Sequence, residues 1–552
     1  MQEVRDVIQA TVKQLFNVDI EPGLTRPDEQ FGDYATNVAL QLAKQLNKNP
    51  GEIAKLLSEN IKHPTIVKTE VAGPGFINIW LSDDYLIKSL KLEIAQSLTA
   101  KVVVVEYSDP NPFKVLHAGH LYTSVVGDSI ANLLEVAGAK VHRVNYGGDV
   151  GLHVAKTMWA VLEKLGGEEP EKLKSITEED RPEWLTAAYV DGNNAYEDDT
   201  VAKEEIVALN KKIYAILASR DHDSPLAQIY WTTRKWSYDY FDKFYARIGT
   251  KFEKYYPESE VVELGVKTVQ QQLEHGIFKK SEGAIIFDGE SHGLHTRVFI
   301  NSEGLPTYEA KEVGLILTKD QDYHFDKSVI ITGNDIVEYM KVVLKAVEQF
   351  KPALVNNTTH LTHGIVKLQG GTKMSSRKGN ILRAVDVLDA AAEANKKATG
   401  KRDEQVELGA VKYAFLKNRT GGDIVYDSEE SVSLQGNSGP YLQYAHARAC
   451  SILAKTKTKS DSKVTDLQDG ERPLVRKIGE YGEVVDRAVR ELMPHHICTY
   501  LYELAQTFNR FYEENRVISD DREEVRLHLV QAYTNVLKAG LKLLNISAPE
   551  KM

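Results

Sequence analysis

A run of four valines at residues 102–105 is followed by a loop, a long segment with one apolar face, and a further strand-like run at 141–144. The apolar side chains of the middle segment recur at helical spacing and are Val126, Ile130, Leu133, Leu134 and Ala137. The order strand, loop, helix, strand predicts a βαβ unit, in which ligands bind at the carboxyl end of the first strand. The middle of the chain is therefore expected to form an α/β domain around a parallel sheet.

The loop of this unit contains the motif His117-Ala118-Gly119-His120. Two imidazoles can donate hydrogen bonds to phosphates without adding a competing nucleophile. Gly119 removes a side chain where ATP would approach the backbone, and the N-terminus of the following helix attracts anions. The motif is not a Walker loop, because no G-x-x-x-x-G-K-[ST] occurs. We predict an ATP site in which His117 and His120 are catalytic, the alternative being a pair of surface or helix-capping histidines.

A second motif follows about 250 residues later, in a glycine-rich stretch at 370–380. Such a loop can close over pyrophosphate and bring a lysine charge to it. Its predicted ATP-binding residues are Lys373, Met374, Ser375, Ser376 and Arg377, with Lys373 catalytic. Together the two motifs predict a two-part ATP site that activates a carboxylate as its adenylate. A basic surface loop without a role is the alternative for the second motif.

Composition limits the class of protein. A chain of 552 residues should hold several domains, and no apolar run is long enough for a membrane span. Its 2 cysteines, Cys450 and Cys498, lie far apart, so neither zinc nor a disulfide framework is expected, and a reducing cytoplasmic setting fits. The net charge of −11 argues mildly against nucleic-acid binding, but local basic faces can still bind RNA.

Changes in pattern divide the chain into three parts. Residues 1–99 are predicted to form an N-terminal α+β module, with a turn at 73–75. Residues 100–430 are predicted to form a Rossmann-type nucleotide-binding catalytic core with a helical insertion over about 155–260. Residues 431–552 are helical throughout, which predicts a C-terminal all-α bundle, one of whose helices covers 473–491.

Four stretches carry a resemblance to a known family. They are Glu106-Tyr107-Ser108-Asp109-Pro110-Asn111, Asn145-Tyr146-Gly147-Gly148-Asp149-Val150-Gly151, Leu305-Pro306-Thr307-Tyr308-Glu309-Ala310-Lys311-Glu312 and Gln443-Tyr444-Ala445-His446-Ala447-Arg448. With the two motifs, they resemble class I aminoacyl-tRNA synthetases, and the arginyl-tRNA synthetases in particular. The resemblance implies that arginine and ATP form arginyl-adenylate, and that the arginine then passes to the terminal ribose of tRNA(Arg). It also implies Mg²⁺ with the ATP and a monomer.

The resemblance assigns an amino-acid pocket. Glu106, Tyr308 and Glu312 match guanidinium-binding positions, and Asn111 beside His117 matches a contact to the amino-acid backbone groups. Two carboxylates suit the five donors of a guanidinium. The family usually has aspartate at the position of Glu312. The alternatives are a strand-end salt bridge for Glu106 and a helix-surface pair for Tyr308 and Glu312.

The resemblance also assigns further ATP and tRNA contacts. Asn334 and Asp335, together with Gly119, are expected to bind ATP, although many relatives carry histidine just after this pair. Tyr444 and Arg448 share one helix face, which suits stacking on a base and contact with phosphate in the anticodon loop. The remaining implied tRNA contacts are Tyr512 and Met552 in the anticodon-binding bundle, and Phe76 and Asn78 in the N-terminal, tRNA-elbow-binding module. Core packing is the alternative for each aromatic residue.

Two other functions compete with an arginine–tRNA ligase. One is another class I adenylating enzyme, and the other is a non-catalytic tRNA-binding relative. A small-metabolite adenylyltransferase would not need a C-terminal helix bundle. The presence of His117, His120 and Lys373 argues against loss of catalysis.

Overall fold

The N-terminal module is a small four-stranded antiparallel sheet covered by helices. The structure, a computed structural model, describes residues 1–369, 382–456 and 464–552. The strand order is β1-β2-β4-β3, and the turn at 73–75 joins the last two strands. The elements are α1 (Gln2–Phe16), β1 (Leu24–Thr25), β2 (Tyr34–Thr36), α2 (Val38–Leu46), α3 (Pro50–Asn60), β3 (Ile66–Ala72), β4 (Phe76–Leu81) and the short α4 (Asp83–Lys88).

The middle of the chain forms a five-stranded parallel sheet in the order β12-β11-β5-β6-β7. The first half of this middle part of the chain consists of β5 (Val102–Glu106), α5 (Ala118–Val136), β6 (Lys140–Gly147), α6 (Leu152–Leu165), α7 (Arg181–Asp198), α8 (Thr200–Ser219), α9 (Pro225–Ile248), β7 (Lys254–Pro257) and α10 (Glu258–Glu274). Its second half consists of β8 (Lys279–Ser281), β9 (Ala284–Phe287), β10 (Arg297–Ile300), α11 (Tyr308–Tyr323), β11 (Lys327–Gly333), α12 (Val337–Glu348), α13 (Pro352–Asn356), β12 (Thr358–His363) and β13 (Val366–Leu368). The predicted α/β fold class with a parallel sheet is confirmed.

The strand order places the topological switch point of the sheet beside β5. The chain runs from β5 to β6 on one side and later returns as β11 on the other. Ligands of open parallel sheets bind at such a switch, outside the carboxyl ends of the strands. The helix α5 starts there and is buried along most of its length. At Gly127 a Cβ atom would lie 2.2 Å from the ring of Tyr107, so only glycine lets α5 pack this closely.

Two elements differ from the sequence analysis. Residues 254–257, expected within the helical insertion, form the edge strand β7, because their backbone pairs with β6 and Tyr256 is buried in the core. Residues 473–491, expected to be one helix, form two helices that break at Gly479. A Cβ at Gly479 would lie 2.3 Å from Ser89 Oγ, and the Tyr500 hydroxyl contacts the carbonyls at the end of the first helix. Tertiary contacts therefore determine both the strand at 254–257 and the helix break at Gly479.

The C-terminal bundle is helical, as predicted, and it packs against both other parts. Its helices and the elements leading to it are α14 (Ala384–Thr399), α15 (Glu404–Leu416), β14 (Ile424–Tyr426), α16 (Ser428–Ser431), α17 (Gly439–Ala454), α18 (Arg472–Ile478), α19 (Tyr481–Glu491), α20 (His495–Glu514) and α21 (Glu523–Leu543). Arg472 donates to Asp33 at 2.7 Å and to Asp83 at 2.5 Å, which ties α18 to the N-terminal module. Among the helices of the described ranges, none is long and apolar enough to cross a bilayer.

Candidate active site and RNA-facing surface

The two histidines of the first motif stack at the N-terminus of α5. Their ring centroids lie 3.5 Å apart with an interplanar angle of 21°. His117 caps the helix, because its Nδ1 accepts the backbone N–H of Gly119 at 3.1 Å, and His120 Nδ1 accepts the N–H of His117 at 3.1 Å. The capping role considered as the alternative is therefore present. It uses only the Nδ1 atoms, and within the described ranges no hydrogen bond to either Nε2 atom is present.

The protonation of these rings follows from the same contacts. Because both Nδ1 atoms accept backbone N–H groups, a neutral ring carries its proton on Nε2. Burial, followed by the charge of Lys114, lowers the pKa of His117 to about 3, and burial also lowers the pKa of His120. Both rings are therefore neutral hydrogen-bond donors at physiological pH.

The second motif lies outside the described residues, as do all five of its predicted ATP contacts, Lys373, Met374, Ser375, Ser376 and Arg377. The residues that directly follow it are described. The N–H of Ala118 donates to the Leu382 carbonyl at 2.8 Å, and the N–H of Ala384 donates to the Leu116 carbonyl at 2.8 Å. The backbone that leaves the second motif is therefore hydrogen-bonded to the backbone of the first.

The carboxyl end of β5 carries a buried ion pair. Glu106 is 2% exposed and accepts a hydrogen bond from the ammonium group of Lys319 on α11. The salt bridge that was the alternative for Glu106 is therefore real, and sequence reasoning missed Lys319. The available signal was the position of Lys319, seven residues after Glu312 on the same helix, because two helical turns bring both side chains to one face.

Glu312 is buried beside this pair. Its Oε2 lies 3.4 Å from the Tyr339 hydroxyl, and its Oε1 has no hydrogen-bond partner in the described part of the chain. Burial and the negative charge of Glu106 raise the pKa of Glu312 to about 8. The helix-surface pair considered for this residue is therefore wrong, since the carboxyl group is enclosed in the core. Burial and Glu106 also raise the pKa of nearby Asp109, which the sequence analysis did not single out.

Tyr308 and Asn111 are linked through His153 and Gly148. Tyr308 is 50% exposed, and its hydroxyl lies 3.0 Å from His153 Nδ1. Asn111 accepts the N–H of Gly148 at 3.0 Å, and His153 Nε2 lies 2.8 Å from the Gly148 carbonyl. Asn111 and His153 thus hold Gly148, which belongs to the family-like stretch at 145–151.

Asn334 and Asp335 lie just beyond β11, on the other side of the sheet switch, in a single helical turn formed by Asn334–Ile336. The side chain of Asn334 donates to the Gly421 carbonyl at 3.4 Å. Within the described ranges, no group of three or more His, Cys, Asp or Glu side chains is arranged to hold a metal ion.

Four of the predicted tRNA contacts lie on the C-terminal bundle, and two of them contact each other. The guanidinium of Arg448 lies 4.8 Å from the ring centroid of Tyr512, which joins α17 to α20. Tyr444, one turn before Arg448, is 45% exposed. Met552 is 47% exposed and follows Pro549, whose carbonyl lies 2.8 Å from His446 Nδ1 on α17. The chain end therefore lies beside the same helix.

The two predicted contacts of the N-terminal module differ in exposure. Both lie on β4, two residues apart, and so share one face of the strand. Phe76 is 41% exposed, whereas Asn78 is 7% exposed between β2 and β3. Phe76 is therefore accessible to a partner, and Asn78 presents only a small surface.

Comparison with known proteins defines the class. The model of the class I (R) tRNA synthetase catalytic domain matches residues 83–427. The arginyl tRNA synthetase N-terminal domain matches 2–81, and the DALR anticodon binding domain matches 442–552. The parallel sheet with paired histidines at its switch thus belongs to a class I aminoacyl-tRNA synthetase.

Relatives that align with nearly the whole chain show which family of class I synthetases it belongs to. The chain is 30% identical to arginine–tRNA ligase 1 of Bacillus cereus, over 99% of this chain and 97% of the relative. It is 30% identical to the arginine–tRNA ligase of Lactobacillus delbrueckii, over 100% and 99%. The arginyl-tRNA synthetase of Thermus thermophilus has the same fold, with a TM-score of 0.81 at 24% identity and 100% coverage of both chains. The chain belongs to the arginyl-tRNA synthetase family.

Proposed function

We infer that this chain is an arginine–tRNA ligase. It activates arginine with ATP to arginyl-adenylate and transfers the arginine to the 3′-terminal ribose of tRNA(Arg), releasing AMP and pyrophosphate. Relatives of the same name align with the chain from end to end, and its three parts match the three domains of the family. The two rival functions, a different adenylating enzyme and a non-catalytic binding protein, have no support in these comparisons.

The arginine site that we propose is the buried acidic pocket at the end of β5. The observation that carries it is the buried Oε1 of Glu312, which lacks a partner among the described residues. A buried acceptor without a donor is costly, and a guanidinium would supply donors. Glu106, although paired with Lys319, adds a second carboxylate beside Glu312, and half-exposed Tyr308 lies one helical turn before Glu312. Asn111 and His117 would contact the amino-acid backbone groups.

The ATP site that we propose lies between the α5 N-terminus and the second motif. In the adenylation step the arginine carboxylate attacks the α-phosphorus, and pyrophosphate leaves. The Nε2–H groups of His117 and His120 would donate to the developing phosphate charge. Gly119 would let ATP approach the helix N-terminus, with Asn334 and Asp335 across the switch. Mg²⁺ bound with ATP would neutralise phosphate charge, and Lys373 with its neighbours would bind the leaving pyrophosphate.

The tRNA face that we propose includes Tyr444, Arg448, Tyr512 and Met552 for the anticodon loop, and Phe76 with Asn78 for the elbow. The contact between Arg448 and Tyr512 supports this, since it holds a cation and an aromatic ring together at an accessible helix face. We further propose that the protein acts as a monomer in the cytoplasm. The two free thiols, Cys450 and Cys498, fit a reducing compartment.

ATP–pyrophosphate exchange with each of the twenty amino acids, with and without total tRNA, tests this function. We expect exchange with arginine alone, and transfer of labelled arginine to tRNA. Exchange with a different amino acid would identify another adenylating enzyme. Binding of tRNA without any exchange would identify a non-catalytic protein.

A further inference from the structure

Three lysines are buried among the residues that the structure describes, and one of them lacks a carboxylate partner. Lys311 contacts Glu258, and Lys319 contacts Glu106. Lys412, on α15, is 6% exposed, and its ammonium group donates to the carbonyl of Asn545 at 2.6 Å. In the described ranges, no carboxylate lies within ion-pair distance of it. Buried Asp128 acts on Lys412 only from beyond that distance, so the ion pair of this buried cation is incomplete.

Lys412 lines a cleft of about 480 Å³ where the catalytic core meets the C-terminal bundle. The walls are the end of α9, one face of α15, the end of α21 and the chain that follows it. A Cβ on Gly249, another lining residue, would lie 3.9 Å from the Lys412 ammonium nitrogen. The ammonium group therefore lies beside Gly249 at the wall of the cleft.

The rest of the cleft is also basic. Lys538 and Lys542 are exposed, line the cleft and lie one turn apart on the same face of α21. Arg247 lines it as well, and its charge is matched by Glu404 at 3.0 Å. The lining contains no aspartate or glutamate. In a protein with a net charge of −11, such a cleft attracts an anion with several charges.

The cleft adjoins the face that carries Tyr444. Gln443, the preceding residue, donates to the carbonyls of Gln405 and Ser547 at 3.1 Å each, and both of these residues line the cleft. We propose that this cleft binds backbone phosphates of the tRNA, with Lys412 completing its ion pair on one phosphate and Lys538 and Lys542 binding the adjacent chain. The proposal rests on the proposed function and adds to it a contact surface between the catalytic core and the anticodon-binding bundle.

The salt dependence of tRNA binding tests this surface. Each phosphate neutralised contributes about 0.7–0.9 to the slope of log affinity against log salt. We expect Lys412→Met to lower the slope by about 0.7–0.9, and Lys538→Ala/Lys542→Ala to lower it by about 1.4–1.8. The double variant changes only exposed side chains, so it keeps the test valid if Lys412→Met fails to fold.

A matched control is Lys267→Ala/Lys280→Ala, which removes two exposed lysines far from the cleft lining and should keep the wild-type slope. Wild-type slopes in the cleft variants would overturn the proposal. If the wild type itself fails to charge tRNA with arginine, the proposed function fails, and that outcome is distinct.

The same variants distinguish tRNA from free phosphate. Thermal unfolding of the tRNA-free protein is measured in inorganic phosphate and in chloride of equal ionic strength. We expect no difference between wild type and Lys412→Met in the phosphate-induced shift. A shift in the wild type that Lys412→Met abolishes, together with unchanged tRNA slopes, would assign the cleft to a small phosphate and overturn the RNA proposal.

Discussion

Arginine binding should release a proton from Glu312. In the proposed arginine pocket this carboxyl group is buried next to Glu106, and its pKa is raised to about 8. The arginine guanidinium is always charged, and it binds an ionised carboxylate far better than a neutral acid. The other charged or titratable groups near Glu312 are Glu258, Asp109, Lys319, Tyr339 and Tyr146, and only Lys319 is a cation. The bound guanidinium therefore favours ionisation of Glu312.

The size of the effect follows from the pKa. At pH 7, a group with a pKa of about 8 is roughly nine-tenths protonated, so binding should release about 0.9 proton, against about 0.1 at pH 9. Arginine affinity should rise by about tenfold per pH unit below pH 7.5 and level off above pH 8. Since the folded pKa exceeds that of an unfolded glutamate, the substrate-free protein should also lose stability as the pH rises towards 8.

Calorimetry in buffers with different ionisation enthalpies measures the released proton. Glu312→Gln keeps the shape of the side chain and should abolish the buffer dependence, while Asp109→Asn is the control that should retain it. A binding enthalpy that is independent of the buffer in the wild type would refute the reasoning. Loss of the dependence in Asp109→Asn alone would place the proton on the other carboxyl group.

Three further substitutions test the ATP site, the buried ion pair and the tRNA face. His120→Ala should slow exchange by about 10²–10³-fold with little change in the arginine KM, because its donor acts on transition-state charge; an effect confined to KM would contradict that role. Lys319→Met leaves Glu106 buried without its cation and should lower the free energy of unfolding in urea by about 3–5 kcal/mol, with part of it restored by Glu106→Gln in the same chain. Arg448→Ala should weaken tRNA binding, measured by filter retention, while arginine activation with saturating tRNA stays near wild type. An equal loss in Tyr512→Phe, which keeps the ring, would argue against a contact through the guanidinium.

The sequence by itself determined the parts of this protein that depend on local pattern. The valine run, the apolar face after it and the two motifs predicted a parallel α/β core with a ligand loop at the end of β5, and the structure has that core. Periodicity also predicted that the C-terminal part is helical. These features are readable because strand and helix periods and motif spacing are properties of neighbouring residues.

Only the tertiary structure decided which side chains meet across distant elements. Glu106 and Lys319 are 213 residues apart, and although Lys319 shares a helix face with Glu312, no local pattern pairs it with Glu106. The burial that raises the pKa of Glu312 also depends on how helices pack, as does the lack, among the described residues, of a carboxylate within ion-pair distance of Lys412. At the helix break, Gly479 lies so close to Ser89 of the N-terminal module that a Cβ atom would not fit. Charge pairing, desolvation and close approach are set by three-dimensional contacts, so the pocket's electrostatics could not be derived from the order of residues alone.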